Sequence, residues 1–337
     1  MRFKLPLALV LTAGLLYPAA ADASLTEFAT FVGNYGVSTD GFGSTSQSGT
    51  ISAEVPVGAT VVAAYLYTAT YGAINPAVGG TLNGSAVTYG ASVPNTGVGG
   101  NLASNRADVT AIVAPVINGG LGGVYNFAIT ETNGSQDGEA LVVVYSLPSL
   151  PVSTVGILDG FSAAGGDNTA INFSDPLDPT AAGFFADMRL GIGFSCCTAY
   201  SSATQRSNVT VNGTLMTAVA GDNDDGLDAA NGSLITVGGY DDVPAPNTVV
   251  NLANYTADSE RYDLSSFITT GDNSIAIITN NPSNDDNIFL AVFHVLGEAG
   301  INEPPPNSEV PEPGTLSLLA IGGAAAFRKV RGRRKAA

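Results

Sequence analysis

Apolar and polar positions alternate with a period of two along several short stretches, among them Val124–Thr130 and Ser274–Thr279. That period belongs to strands with one buried face. Two other stretches, Ala140–Tyr145 and Ile288–His294, are apolar without a break, which suits central strands covered on both faces. Between such stretches stand Gly, Asn and Pro, the residues that close turns. No long run carries the 3.6-residue period of an amphipathic helix.

The pattern occurs twice. Thr81-Leu82-Asn83-Gly84-Ser85-Ala86-Val87-Thr88 matches Thr210-Val211-Asn212-Gly213-Thr214-Leu215-Met216-Thr217. In both, Asn-Gly between apolar flanks predicts a tight hairpin, because both turn residues must accept positive φ. Arg106-Ala107-Asp108-Val109-Thr110 then matches Arg261-Tyr262-Asp263-Leu264-Ser265. A Gly-containing turn, the alternating strand and the unbroken apolar run follow in each copy. Four elements recurring in one order predict an all-β fold of two tandem antiparallel β-sandwiches of jelly-roll type. We place the first sandwich at 24–147 and the second at 148–298, divided where Pro148 and Pro151 interrupt strand pairing.

The two ends read differently. Residues 1–23 have a basic start (Arg2, Lys4), an apolar stretch and small residues at Ala21 and Ala23, the pattern of a signal helix cleaved before Ser24. Residues 299–314 form a Pro-rich linker, and 315–337 a single transmembrane helix with a basic tail. The apolar part, Thr315–Phe327, makes only about 20 Å of helix against a hydrocarbon core of about 30 Å. Such a span suits a transient hold. Arg328, Lys329, Arg331, Arg333, Arg334 and Lys335 flank it on the cytoplasmic side, leaving the body across the membrane.

Val310-Pro311-Glu312-Pro313, a short apolar helix and an Arg-rich end, in that order, resemble the PEP-CTERM sorting signal of Gram-negative bacteria. The resemblance implies processing near Pro311–Pro313 by an exosortase-type enzyme and release to the cell surface or the exopolysaccharide matrix. The Arg-x-Asp-(Val/Leu)-(Thr/Ser) segments are similar to the closing half of galactose-binding-like jelly rolls, where Asp and Thr stabilise a turn or one-turn helix. Glu139–Tyr145 through Asp159-Gly160-Phe161 resembles the N-terminal sandwich module of large bacterial surface adhesins.

Charge sharpens the picture once the ends are set aside. The whole chain carries −17, but Ser24–Glu309 holds only Arg106, Arg189, Arg206 and Arg261 against 27 acids, a net −23. Such a body repels nucleic acid and attracts divalent cations or basic partners. The second copy has 43 residues between Thr217 and Arg261 where the first has 17 between Thr88 and Arg106. This insertion contains Asp222, Asp224, Asp225, Asp228, Asp241 and Asp242, a candidate Ca²⁺ loop, although its spacing departs from the EF-hand. A purely solvated acidic loop is the alternative. Cys196 and Cys197 are adjacent; they can form a vicinal disulfide, pair between chains or stay as thiols.

Enzymatic motifs are missing. His294 is the only histidine and falls at the strand position of Tyr145 in the repeat. Gly160-Phe161-Ser162-Ala163-Ala164 lacks the last glycine of a nucleophile elbow. Among the aromatics, Tyr71 and Tyr240 are candidate sugar platforms, while the alternating Tyr65 and Tyr67 fit strand packing better. The sequence thus predicts a non-enzymatic structural or adhesive surface protein. A carbohydrate-binding protein stabilised by Ca²⁺ is the alternative, and polysaccharide cleavage by paired carboxylates a more distant one.

Overall fold

The computed structural model describes residues 24–305, apart from 44–45, 74–75, 96–100, 164, 194–206, 222–233, 243, 245–259 and 282–286. Described residues are mostly strand, arranged in four antiparallel sheets. No helix among them is long and apolar enough to cross a membrane. The signal helix, the sorting motif Val310–Pro313, the expected transmembrane helix with its basic tail, Cys196 and Cys197 all lie outside the described residues.

A leading strand, β1 (Thr26–Gly33), precedes the first copy. That copy runs β2 (Tyr35–Gly43), β3 (Ser48–Val55), β4 (Thr60–Tyr71), β5 (Gly80–Leu82), β6 (Ser85–Val87), β7 (Val93–Asn95), β8 (Leu102–Asp108), α1 (Thr110–Ile117), β9 (Gly123–Glu131) and β10 (Gln136–Ser146). The second runs β11 (Ser153–Asp159), β12 (Asp167–Phe173), β13 (Ala186–Gly193), β14 (Ser207–Val211), β15 (Thr214–Ala220), β16 (Ile235–Val237), β17 (Arg261–Asp263), a 3₁₀ turn (Ser265–Phe267), β18 (Ser274–Asn280) and β19 (Asn287–Leu296). A short β20 (Ala299–Ile301) closes the described chain.

The pairing repeats as well. In the first copy the larger sheet has the order β2-β10-β4-β8-β7 and the smaller β3-β9-β5-β6. In the second copy β11-β19-β13 carries β16 and β17 along its free edge, and the smaller sheet reads β12-β18-β14-β15, with β20 added beyond β12. Asn83 and Asn212 adopt φ of 49° and 47°, and the glycines after them 77° each, as the hairpin pattern requires. Asp108 accepts the backbone N–H of Thr110, and Asp263 that of Ser265, so the Arg-x-Asp segments nucleate α1 and the 3₁₀ turn alike.

Three cores hold the four sheets. The first lies inside copy one, around Phe42, Ile51, Leu66, Phe127, Leu141 and Val143. Another lies inside copy two, around Met188, Leu190, Val209, Tyr262, Phe293 and Val295. The third joins the two larger sheets, where Tyr67, Val142 and Val144 meet Val155, Ile157 and Val292. Successive residues of β10 and β19 therefore enter different cores, which explains why their runs are apolar without alternation. Tyr65 also faces the middle layer, edge-on to Phe28 at 4.9 Å between ring centroids.

One element crosses the division expected at residues 147–148. β1 pairs with β11 of the second copy, from Thr26↔Asp159 to Gly33↔Ser153, and Leu25 enters the second core. The unpaired edge of β11 needs a partner, and the chain leading into β2 lies within reach of it.

Candidate functional site

The junction of the two larger sheets gathers the few basic residues of this acidic body. Three of its four arginines are among the described residues, and each pairs with a carboxylate. Arg106 on β8 reaches across to Asp159 on β11, with its guanidinium 3.3 Å from the ring centre of Phe28. Arg189 on β13 is buried; it donates to Asp187 at 2.9 and 3.2 Å, to the Val37 carbonyl at 3.0 Å and to Thr39 Oγ1 at 3.2 Å. One guanidinium thus ties copy two to strand β2 of copy one.

Arg261 on β17 completes the network. It donates to Asp187 from Nε at 3.1 Å and approaches it through Nη2 at 3.0 Å, while Nη1 donates to the carbonyls of Tyr240 and Asp242. Burial alone would raise the pKa of Asp187, but Arg189 and Arg261 outweigh it and hold the carboxyl below its ordinary value. The turn at 238–242 is pinned from both copies: Thr39 donates to the Gly238 carbonyl at 2.6 Å, and Tyr240 N–H donates to the Thr39 carbonyl at 2.8 Å. Its own Asp242 accepts from Gly239 N–H at 2.6 Å.

This turn carries two of the six expected cation ligands. Asp241 is exposed, Asp242 half-buried, and both act on Asp40 of β2. Burial, partly offset by the N–H groups of Ser52 and Gly41, pushes Asp40 up to about 7, with Asp241 and Asp242 adding repulsion. Asp222, Asp224, Asp225 and Asp228 lie outside the described residues. Among the described residues, no three acidic, histidine or cysteine side chains converge as a ligand set for a metal.

Beside the network opens a cavity of about 330 Å³, walled by Phe184, Phe185 and His294 and floored by Asp187, Arg261 and Asp263. The His294 ring sits 4.6 Å from that of Phe185, and its Nε2 lies 3.2 Å from the Tyr35 carbonyl. Burial, then the charge of Arg189, lowers its pKa to about 4, so the imidazole is neutral at neutral pH. Rings beside hydrogen-bonding groups make an amphipathic hollow suited to a small polar ligand. Tyr67 is fully buried, as strand packing requires, and of the expected aromatic platforms Tyr71 is 43% exposed on the far end of β4. Tyr240 is half-buried at the junction.

Sequence reasoning did not single out Asp187, Arg189 or the cavity. Their only trace is that Arg106 and Arg261 recur at one place in the repeat, which marks them as structural partners without naming the acids they meet. A second feature also went unread: three buried acids, Glu131, Asp137 and Glu139, at the end of the β9–β10 hairpin.

No curated protein matches the chain. Residues 309–335 match the family described as the PEP-CTERM protein-sorting motif. The chain is therefore an exported protein with a PEP-CTERM protein-sorting motif at its C-terminal end, which implies processing by an exosortase-type enzyme, membrane association there and delivery to the cell surface or extracellular matrix.

Proposed function

We propose that the protein is a non-enzymatic structural or adhesive component of the cell surface or exopolysaccharide matrix. In this reading its body is two jelly-roll-like units, 24–147 and 148–298, held in the membrane by the helix at 315–327 only until the tail is processed. The observation that carries it is the stacking of four sheets through three cores, with Arg189 buried between the copies. Such a body is rigid and presents loops at its rim, which suits display better than turnover. The polar groups of the cavity support the same reading. Asp187 is occupied by two arginines, and the neutral His294 faces a backbone carbonyl, so neither is poised as a nucleophile–base pair.

The test is a strain lacking the protein, complemented with the full chain or with one truncated before residue 309. Cohesion and retention of matrix should be restored by the full chain alone, and the purified protein should release no sugar from isolated exopolysaccharide. Measurable depolymerisation would overturn the reading.

Carbohydrate binding is favoured as a second reading by the cavity of about 330 Å³, whose Phe184 and Phe185 rings stand beside Asp263. A glycan array run with the wild type and Phe185→Ala tests it, with binding expected to be lost in the variant.

A further inference from the structure

The end of the β9–β10 hairpin buries an unbalanced charge. Glu131 closes β9, and Asp137 and Glu139 open β10; they are 6%, 8% and 1% exposed. The described arginines are all engaged at the junction of the larger sheets. Gln136 donates from Nε2 to Glu139 Oε1 at 3.2 Å, while its own Oε1 accepts the N–H of Gly79 at 3.1 Å. Both oxygens of Glu131, Oδ2 of Asp137 and Oε2 of Glu139 lack a well-formed hydrogen bond among the described residues, while the Glu131 and Glu139 carboxyls lie against each other and the Tyr89 hydroxyl lies against Glu139.

Native proteins rarely leave buried carboxylate oxygens in this state, because removing them from water without a partner is strongly unfavourable. Either protons or a cation must balance them. Burial, then the charge of Glu139, pushes Glu131 up to about 10; burial pushes Glu139 and Asp137 up to about 7. Tyr89 stands beside Glu139, and its hydroxyl is pushed well up by burial and by the two glutamates.

We propose that this hairpin end binds one hard divalent cation, Ca²⁺ in an exported protein, with Glu131 and Glu139 as its anionic ligands. Three acids do not already converge on one point. The remaining oxygens of a six- to eight-fold shell then come from neutral groups and water, which the flexible coordination of Ca²⁺ accommodates. Asp137 adds negative charge next to the pair. Both proposed anionic ligands belong to the shorter, first copy.

The chain has no tryptophan, so tyrosine alone can sensitise bound Tb³⁺, a luminescent stand-in for Ca²⁺. The full-length protein is titrated with Tb³⁺ and then with Ca²⁺. Sensitised emission should appear and be displaced by Ca²⁺. Tyr89→Phe, which removes no carboxylate, should lose most of that emission. Glu131→Gln with Glu139→Gln should weaken Ca²⁺ binding by at least about tenfold and make the melting temperature insensitive to chelator.

Three results would overturn the proposal. One is no binding of Tb³⁺ or Ca²⁺ at up to about 10 mM, above the range of extracellular calcium modules. Another is emission lost in Tyr240→Phe and retained in Tyr89→Phe, which would place the ion at the acidic insertion. The third is unchanged Ca²⁺ affinity in the double glutamine variant. Should that variant not fold, the Tyr89→Phe and Tyr240→Phe pair decides by itself.

Discussion

The β9–β10 and β18–β19 hairpins hold the same place in the two copies, and they treat buried polarity in opposite ways. In the second copy the described part of the hairpin end is a set of amides: Asn281 and Asn95 both donate to Asn287 Oδ1 at 2.9 Å, and all three side chains are buried. In the first copy the corresponding end holds three buried carboxyl groups with four oxygens that lack a well-formed hydrogen bond. An amide carries donor and acceptor together, so asparagines satisfy one another; carboxylates only accept and must find a proton or a cation. The second copy keeps its buried charges elsewhere, in the paired Asp187–Arg189–Arg261 network. One backbone plan therefore tolerates buried ions where partners exist and gains a latent site where they do not.

The largest expected effect comes from breaking the paired side. Arg189→Ala leaves Asp187 with one arginine and strips Val37 and Thr39 of their donor, so unfolding by denaturant should show a loss of about 3–5 kcal/mol. Unchanged stability would mean that the copies are held by the apolar middle layer alone.

Next in size is Asn287→Asp, which gives the second hairpin the chemistry of the first. The carboxylate can still accept from Asn95 and Asn281, but it is fully buried. Melting at pH 7 should reveal a loss of about 2–3 kcal/mol that shrinks by pH 4, where the acid is protonated.

The reverse change sharpens the same contrast. Asp137 and Glu139 have folded pKa values raised to about 7, so the cation-free folded state binds more protons than the unfolded chain between about pH 4 and 7. Their contribution is complete below the unfolded pKa and is lost as pH rises through about 7. With chelator present, melting temperature should fall from pH 5 to pH 7.5. Glu139→Gln should flatten that fall and raise stability at pH 7.5 by about 1–2 kcal/mol. A flat wild-type profile would count against an unbalanced cluster.

Arg106→Ala should matter least, about 1 kcal/mol or less, because its ion pair with Asp159 is partly exposed, although the ring contact to Phe28 goes with it. A loss as large as that of Arg189→Ala would erase the distinction between rim and buried arginines.

How far the chain could be read without its structure follows from the range of each interaction. Asn83-Gly84 and Asn212-Gly213 were legible because a tight turn is decided by two residues. Asp108 and Asp263 were legible because each bonds a backbone N–H two residues on. The PEP-CTERM motif was legible because its parts are contiguous. Asp241 and Asp242 were singled out as acids in an insertion, but not their proximity to Asp40, about two hundred residues earlier. Glu131 and Glu139 passed unnoticed because a carboxylate beside an apolar run looks the same whether its strand end is wet or buried.

By itself, then, the sequence determined the strands, their turns, the repeated order and the sorting end, all set by local periodicity and backbone preference. The tertiary structure decided what covers the larger sheets. The apolar runs of β10 and β19 demand cover on both faces, but hydrophobic burial is non-directional and does not name the surface that supplies it. Each copy turns out to cover the other, with β1 crossing to the second copy's edge and Arg189 reaching back to the first. That same packing buried Asp187 beside two arginines and left Glu131 and Glu139 with none, a difference that only the meeting of distant strands could make.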